Sequence, residues 1–180
     1  MKTAKITKVI SSGHELPIRG LDGKITIFQA KYVFNSWIDF DFEKFGLDKL
    51  SQSTKKVNAV VSEIIADGTF FQIFTDINPD LGKSVLTMSQ IIEFCEKYPS
   101  WLSQKGLATF FLTKKNLSTF RKILSRIRVL FGKKMLKHYF VVRVRVSDDG
   151  RLVSVLRLEH DHLWDGEARR RVVVPQQLDN

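Results

Sequence analysis

Residues 139–159 read YFVVRVRVSDDGRLVSVLRLE, two apolar and basic runs on either side of Asp148-Asp149-Gly150. Valine-rich runs meeting at turn residues are the pattern of a β-hairpin, and the glycine suits a three-residue loop with one left-handed position. Pairing 139–146 with 151–159 in that register sets Phe140, Val142, Val144 and Val146 beside Leu152, Ser154, Leu156 and Leu158. The opposite face then carries Arg143, Arg145, Arg151 and Arg157 around Val141, Val153 and Val155.

Downstream of the hairpin, residues 169–174 read as a final strand that Pro175 stops, adding Arg169, Arg170 and Arg171. Residues 172–174 and the hairpin edge either pair between chains or are kept from doing so by the edge arginines, and the sequence does not choose between the two. Upstream, Leu117, Phe120, Ile123, Leu124, Ile127, Leu130 and Phe131 recur on one side of a helix over 117–131, with Arg121, Lys122, Arg126 and Arg128 on the other. Gly132 ends it, and Lys133, Lys134 and Lys137 follow, where cations also favour the helix C-terminal dipole. Residues 107–112 are short, apolar and expected as a buried strand. Before them, Thr87 with Gln90 forms a capping box that opens a helix with Met88, Ile91, Ile92 and Cys95 inward, stopped by Pro99.

In the first half of the chain, residues 4–10 and 24–34 are rich in β-branched and aromatic residues around the Asp22-Gly23 turn, and read as strands. Residues 37–43 alternate, with Ile38, Phe40 and Phe42 on one side and Asp39, Asp41 and Glu43 on the other, as a half-buried strand does. Ser53 is expected to cap a helix carrying Val57, Val60, Val61, Ile64 and Ile65 and ending near Gly68. Together these elements predict an α+β fold, a mainly antiparallel sheet with about three helices, as a single domain over 1–175 with a loose tail at 176–180.

The chain has 180 residues and a formal net charge of +10. Residues 97–147 hold 13 Lys and Arg and no Asp or Glu, whereas 1–96 contribute −1 and 148–180 contribute −2. So concentrated a positive field implies a polyanionic partner. One cysteine excludes an internal disulfide framework and zinc sites built from Cys pairs. No apolar run is long enough to span a bilayer and no cleavable signal is visible, so a cytoplasmic location is expected.

The basic helix joined to the hairpin arginines is the first candidate site, because guanidinium forks match phosphate oxygens. Tyr139 and Val153 between arginines resemble a surface on which bases stack. Its expected residues are Arg121, Lys122, Arg126, Arg128, Lys133, Lys134, Lys137, Arg143, Arg145, Arg151, Arg157, Arg169, Arg170 and Arg171. Two further clusters are Glu159-His160-Asp161-His162, an incomplete metal motif that reads better as a polar strand end, and Asp39, Asp41 and Glu43, whose strand face suits Mg²⁺ only weakly. No phosphate loop, nucleophile elbow or dinucleotide fingerprint is present, and no cofactor is expected. Cys95 and the three tryptophans read as packing residues. The pattern favours a small protein that binds a nucleic-acid backbone. The alternative is an adaptor that docks an acidic protein or anionic membrane through the 117–131 helix, and a metal-dependent phosphodiesterase ranks below both.

Overall fold

A computed structural model describes residues 5–115 and 136–176, so the helix expected over 117–131 and the collar of Lys133 and Lys134 lie outside the described residues. The fold is α+β. Its strands are β1 (Thr7–Val9), β2 (Pro17–Ile18), β3 (Trp37–Ile38), β4 (Val57–Ile64), β5 (Ala108–Lys114), β6 (Tyr139–Ser147), β7 (Gly150–Arg157) and β8 (Arg171–Pro175). They form a sheet in the order β1-β4-β8-β5-β6-β7-β3, with β2 pairing separately with β4. The pairs β5–β8 and β3–β7 are parallel and the others antiparallel. The α-helices among the described residues are α1 (Asp41–Phe45), α2 (Phe70–Ile77) and α3 (Met88–Lys97).

The sheet is buried on both faces, and this overturns the helix expected between Ser53 and Gly68, which is β4. Ala59 and Val61 point into one core, Ile64 into the other, with Val57 and Val60 packed at their margins. A strand with two apolar faces carries hydrophobic residues at odd and even positions alike, and the resulting gaps of 3 and 4 imitate a helix stripe. Its β-branched residues favour the extended state.

Two other expectations are corrected nearby. Residues 24–34 hold a 3-10 turn at Ile27–Gln29 instead of a strand, with the Thr26 amide donating to Gln29 Oε1 at 2.9 Å. Ile27, Ala30, Val33 and Phe34 drop from it into the core. The alternation at 37–43 is cut short after Ile38. Asp39 Oδ1 accepts the Asp41 amide at 3.0 Å, and the chain turns into α1, which ends at Gly46 in the left-handed region (φ 68°). Phe42 is buried and Phe40 is 73% exposed, so the two aromatics do not share a face.

The 87–97 helix and the 107–112 strand form as expected, with the Thr87 amide donating to Gln90 Oε1 at 2.9 Å. The stretch between Gly68 and Thr87, assigned no element from the sequence, contributes α2, whose Phe70, Ile73, Phe74 and Ile77 recur at helical spacing behind a Thr69–Gln72 capping box. Its Phe70 packs 5.0 Å from both Phe110 and Trp164, and these two lie 4.7 Å apart, forming the centre of the second core. The final strand begins at Arg171, and β8 is flanked by β4 and β5. Val172, Val173 and Val174 are therefore interior and cannot pair between chains.

The hairpin forms with its register moved by one residue. Ser147 pairs with Gly150, leaving the two-residue loop Asp148-Asp149. Gly150 is required there: its φ is 115°, and a Cβ would meet Asn35 Oδ1 at 2.5 Å. Because side chains alternate with period 2, one residue of shift turns β7 over relative to β6. Val142 now faces Val155, Val144 faces Val153, and Arg157 and Arg151 stand beside Phe140 and Val146. On the reverse face Val141, Arg143 and Arg145 stand beside Leu156, Ser154 and Leu152.

Candidate anion-binding face

The register separates the four hairpin arginines that the sequence groups on one face. Arg151 reaches back from the first-core side, where its Nη1 donates to the Cys95 carbonyl of α3. Arg157 lies over Phe45 and Phe140, with centroid distances of 4.9 and 5.9 Å. Both are engaged in holding elements together.

The arginines around β8 are engaged likewise. Arg169 sits 3.6 Å from Glu63 Oε2, and Arg170 lies 5.3 Å from the Trp164 ring centroid while its Nη1 donates to the Asp165 carbonyl at 3.1 Å. Arg171 Nη1 donates to the carbonyls of Ser100 and Leu102 at 3.0 and 3.1 Å. These three tie the end of β8 to β4, to the Trp164 loop and to the segment after α3. Arg121, Lys122, Arg126, Arg128, Lys133 and Lys134 lie outside the described residues.

Arg143 and Arg145 differ from all of these. Successive residues on one strand face are roughly 7 Å apart, so the two guanidinium groups stand side by side on the reverse face of β6. Among the described residues neither has an ion-pair partner. Arg143 Nε donates to Ser154 Oγ at 2.9 Å, whereas Arg145 Nε is buried and makes no hydrogen bond. Burial disfavours the Arg143 charge and lowers its pKa from the ordinary value, the neighbouring Arg145 cation adds to this, and Asp39 opposes it. Leaving cations half-desolvated without an ion-pair partner is costly, and an anion on this face relieves that cost.

Further cations border the same strand. Lys114, paired with Tyr139 across β5 and β6, holds its ammonium 5.0 Å from the Tyr139 ring centroid, and Lys137 is exposed just before β6. At the opposite border Trp37 of β3 pairs with Leu152 of β7, in the same cross-strand row as Arg145. Trp37 is 47% exposed, a residue that sequence reading assigned to packing. Tyr139 and Val153, expected as stacking surface, are instead buried, at 6% and 0% exposure.

The other candidates dissolve. Asp39, Asp41 and Glu43 are distributed over a turn and α1, where Asp41 pairs with Lys44 at 3.3 Å. His160 and His162 follow the end of β7 on an exposed turn, His162 packing edge-on at 4.5 Å from Trp164. Among the described residues no group of three or more His, Cys, Asp or Glu is placed to hold a metal ion. Cys95 is fully enclosed, and burial pushes its thiol pKa well above the ordinary range against a weaker opposing effect of Arg151. Among the described residues no helix is long and apolar enough to cross a membrane. Comparison of the chain with family models, curated proteins and solved structures gives no match.

Proposed function

We propose that the protein binds a nucleic-acid backbone through the β6–β7 face that carries Arg143 and Arg145. The observation that carries this reading is the contrast in pairing: the other described arginines of the candidate set are engaged in internal contacts, while among the described residues Arg143 bonds only the neutral Ser154 hydroxyl and Arg145 has neither an ion pair nor a hydrogen bond. A phosphate supplies the counter-charge that the pair lacks, and guanidinium suits it geometrically. Arg143 and Arg145 stand at successive positions of one strand face, with Lys114 and Lys137 beyond the buried Val141 and Tyr139, a spread that fits an extended polyanion better than a single small anion.

The test is binding of labelled single-stranded and duplex DNA and RNA at 50 and 200 mM salt. If Arg143, Arg145, Lys114 and Lys137 each neutralise one phosphate, the log-log salt slope is about −2.8 on single strands and −3.6 on duplex DNA, roughly 50-fold and 150-fold losses over that range. The double variant Arg143→Glu/Arg145→Glu is expected to abolish binding. No binding at 50 mM salt, or binding that the double variant leaves intact, overturns the reading.

A further inference from the structure

We infer that the nucleic acid this face takes is single-stranded, with a base stacked on Trp37 while its backbone runs over Arg143 and Arg145; this rests on the reading just proposed. The parallel pairing of β3 with β7 puts Trp37 opposite Leu152, and Leu152 lies opposite Arg145 on β6. At a strand spacing of about 4.8 Å, the Trp37 and Arg145 backbones are roughly 10 Å apart across the sheet. An indole 47% exposed, in one row with a guanidinium and with a half-buried leucine between them, offers a flat apolar platform beside an anion site.

The charges give this surface a direction. Asp39 follows Trp37 on the β3 side, its amide donating to the Val153 carbonyl at 3.0 Å, and its carboxylate acts on Arg143. A carboxylate at that border repels phosphate and accepts from base N–H donors, such as the N3–H of thymine and uracil, so the backbone is directed to β6 and the base edge to β3. A duplex keeps its bases paired and stacked inside, out of reach of a ring on a sheet face, whereas a single strand can splay a base onto Trp37. Duplex DNA then meets only the cations.

The experiment compares a labelled 12-nucleotide oligothymidine, its ribose counterpart oligouridine and a 12-base-pair duplex at 50 mM salt. Wild type, Trp37→Ala, Trp37→Phe and Arg143→Glu/Arg145→Glu are measured, with thermal unfolding recorded for each. Trp37→Ala is expected to weaken single-strand binding roughly 5- to 150-fold and duplex binding less than twofold, and Trp37→Phe to recover most of the loss. Unchanged single-strand affinity in Trp37→Ala, with binding still abolished by the arginine variant, overturns stacking and leaves the backbone reading standing. Equal losses on single strand and duplex also overturn it, since Trp37 then only supports the fold. If wild type binds none of the three, both readings fall together.

Discussion

The two faces of the 139–157 hairpin use the same residue type in opposite ways. On the first-core face, Arg151 hydrogen-bonds the Cys95 carbonyl of α3, and Arg157 covers Phe45 and Phe140, so each cation contributes to packing. On the reverse face, Arg143 and Arg145 repel one another, and among the described residues only Arg143 has a hydrogen-bond partner, the neutral Ser154 hydroxyl. What separates a structural arginine from an available one is thus strand parity and what lies above the strand, not local sequence. The two pairs are expected to respond to substitution in opposite directions.

Arg151→Ala carries the largest expected effect on stability. Hydrogen bonds from a charged donor contribute about 1.5–3 kcal/mol, and in a protein of this size about 2 kcal/mol lowers Tm by roughly 4–8 °C. Oligonucleotide affinity of the folded variant should remain at the wild-type level; a loss of binding there would erase the distinction between the faces. Cys95 tests the same side through pH. Its folded pKa lies above the ordinary value of 9.0, so its contribution is intact below pH 9 and is lost as pH rises toward the folded value. Above pH 9, wild type should lose up to about 1.4 kcal/mol per pH unit relative to Cys95→Ala, measured by denaturant unfolding. Parallel curves would show that the thiol ionises as freely in the folded state as in the unfolded chain. Arg157→Ala should cost less, about 0.5–1 kcal/mol, because its guanidinium over Phe45 is solvent-exposed. Oligonucleotide binding should again be unaffected.

The parts of this fold legible in the sequence are those fixed by near neighbours. Thr87 and Gln90 bond each other across one helical turn, and Asp148-Asp149-Gly150 joins strands adjacent in the chain, so α3 and the hairpin can be read directly. β4 reads as a helix in the sequence because both its faces are covered by residues distant in sequence, so Val57, Val60, Val61 and Ile64 recur at helix-like spacing even though their β-branched side chains favour a strand. At 37–43 the alternation was real, but Asp39 capping the Asp41 amide and Gly46 at positive φ decided for a helix. The candidate site was half legible. The charge pattern indicated arginines on β6, yet a loop of two residues instead of three determined which of them share a face. Trp37 joins them through a parallel pairing with β7, for which nothing near residue 37 gives a signal.

The smallest stability effect gives the sharpest test of the contrast, because its sign is reversed. Two unit charges roughly 7 Å apart repel by about 0.6–2.4 kcal/mol for an effective dielectric between bulk water and protein surface. Arg145→Met removes that repulsion and the buried Nε lacking an acceptor, while keeping much of the side chain's apolar stem over the sheet. Breaking no hydrogen bond, it should leave stability unchanged or raise it by up to about 1 kcal/mol, an upward Tm shift of as much as 2–4 °C. Oligonucleotide affinity should fall in the same variant. Stability that rises as binding falls is what a surface held in readiness for an anion produces, since the strain is relieved only by the ligand. A destabilised Arg145→Met would instead place Arg145 with Arg151 and Arg157 among the arginines that hold the fold.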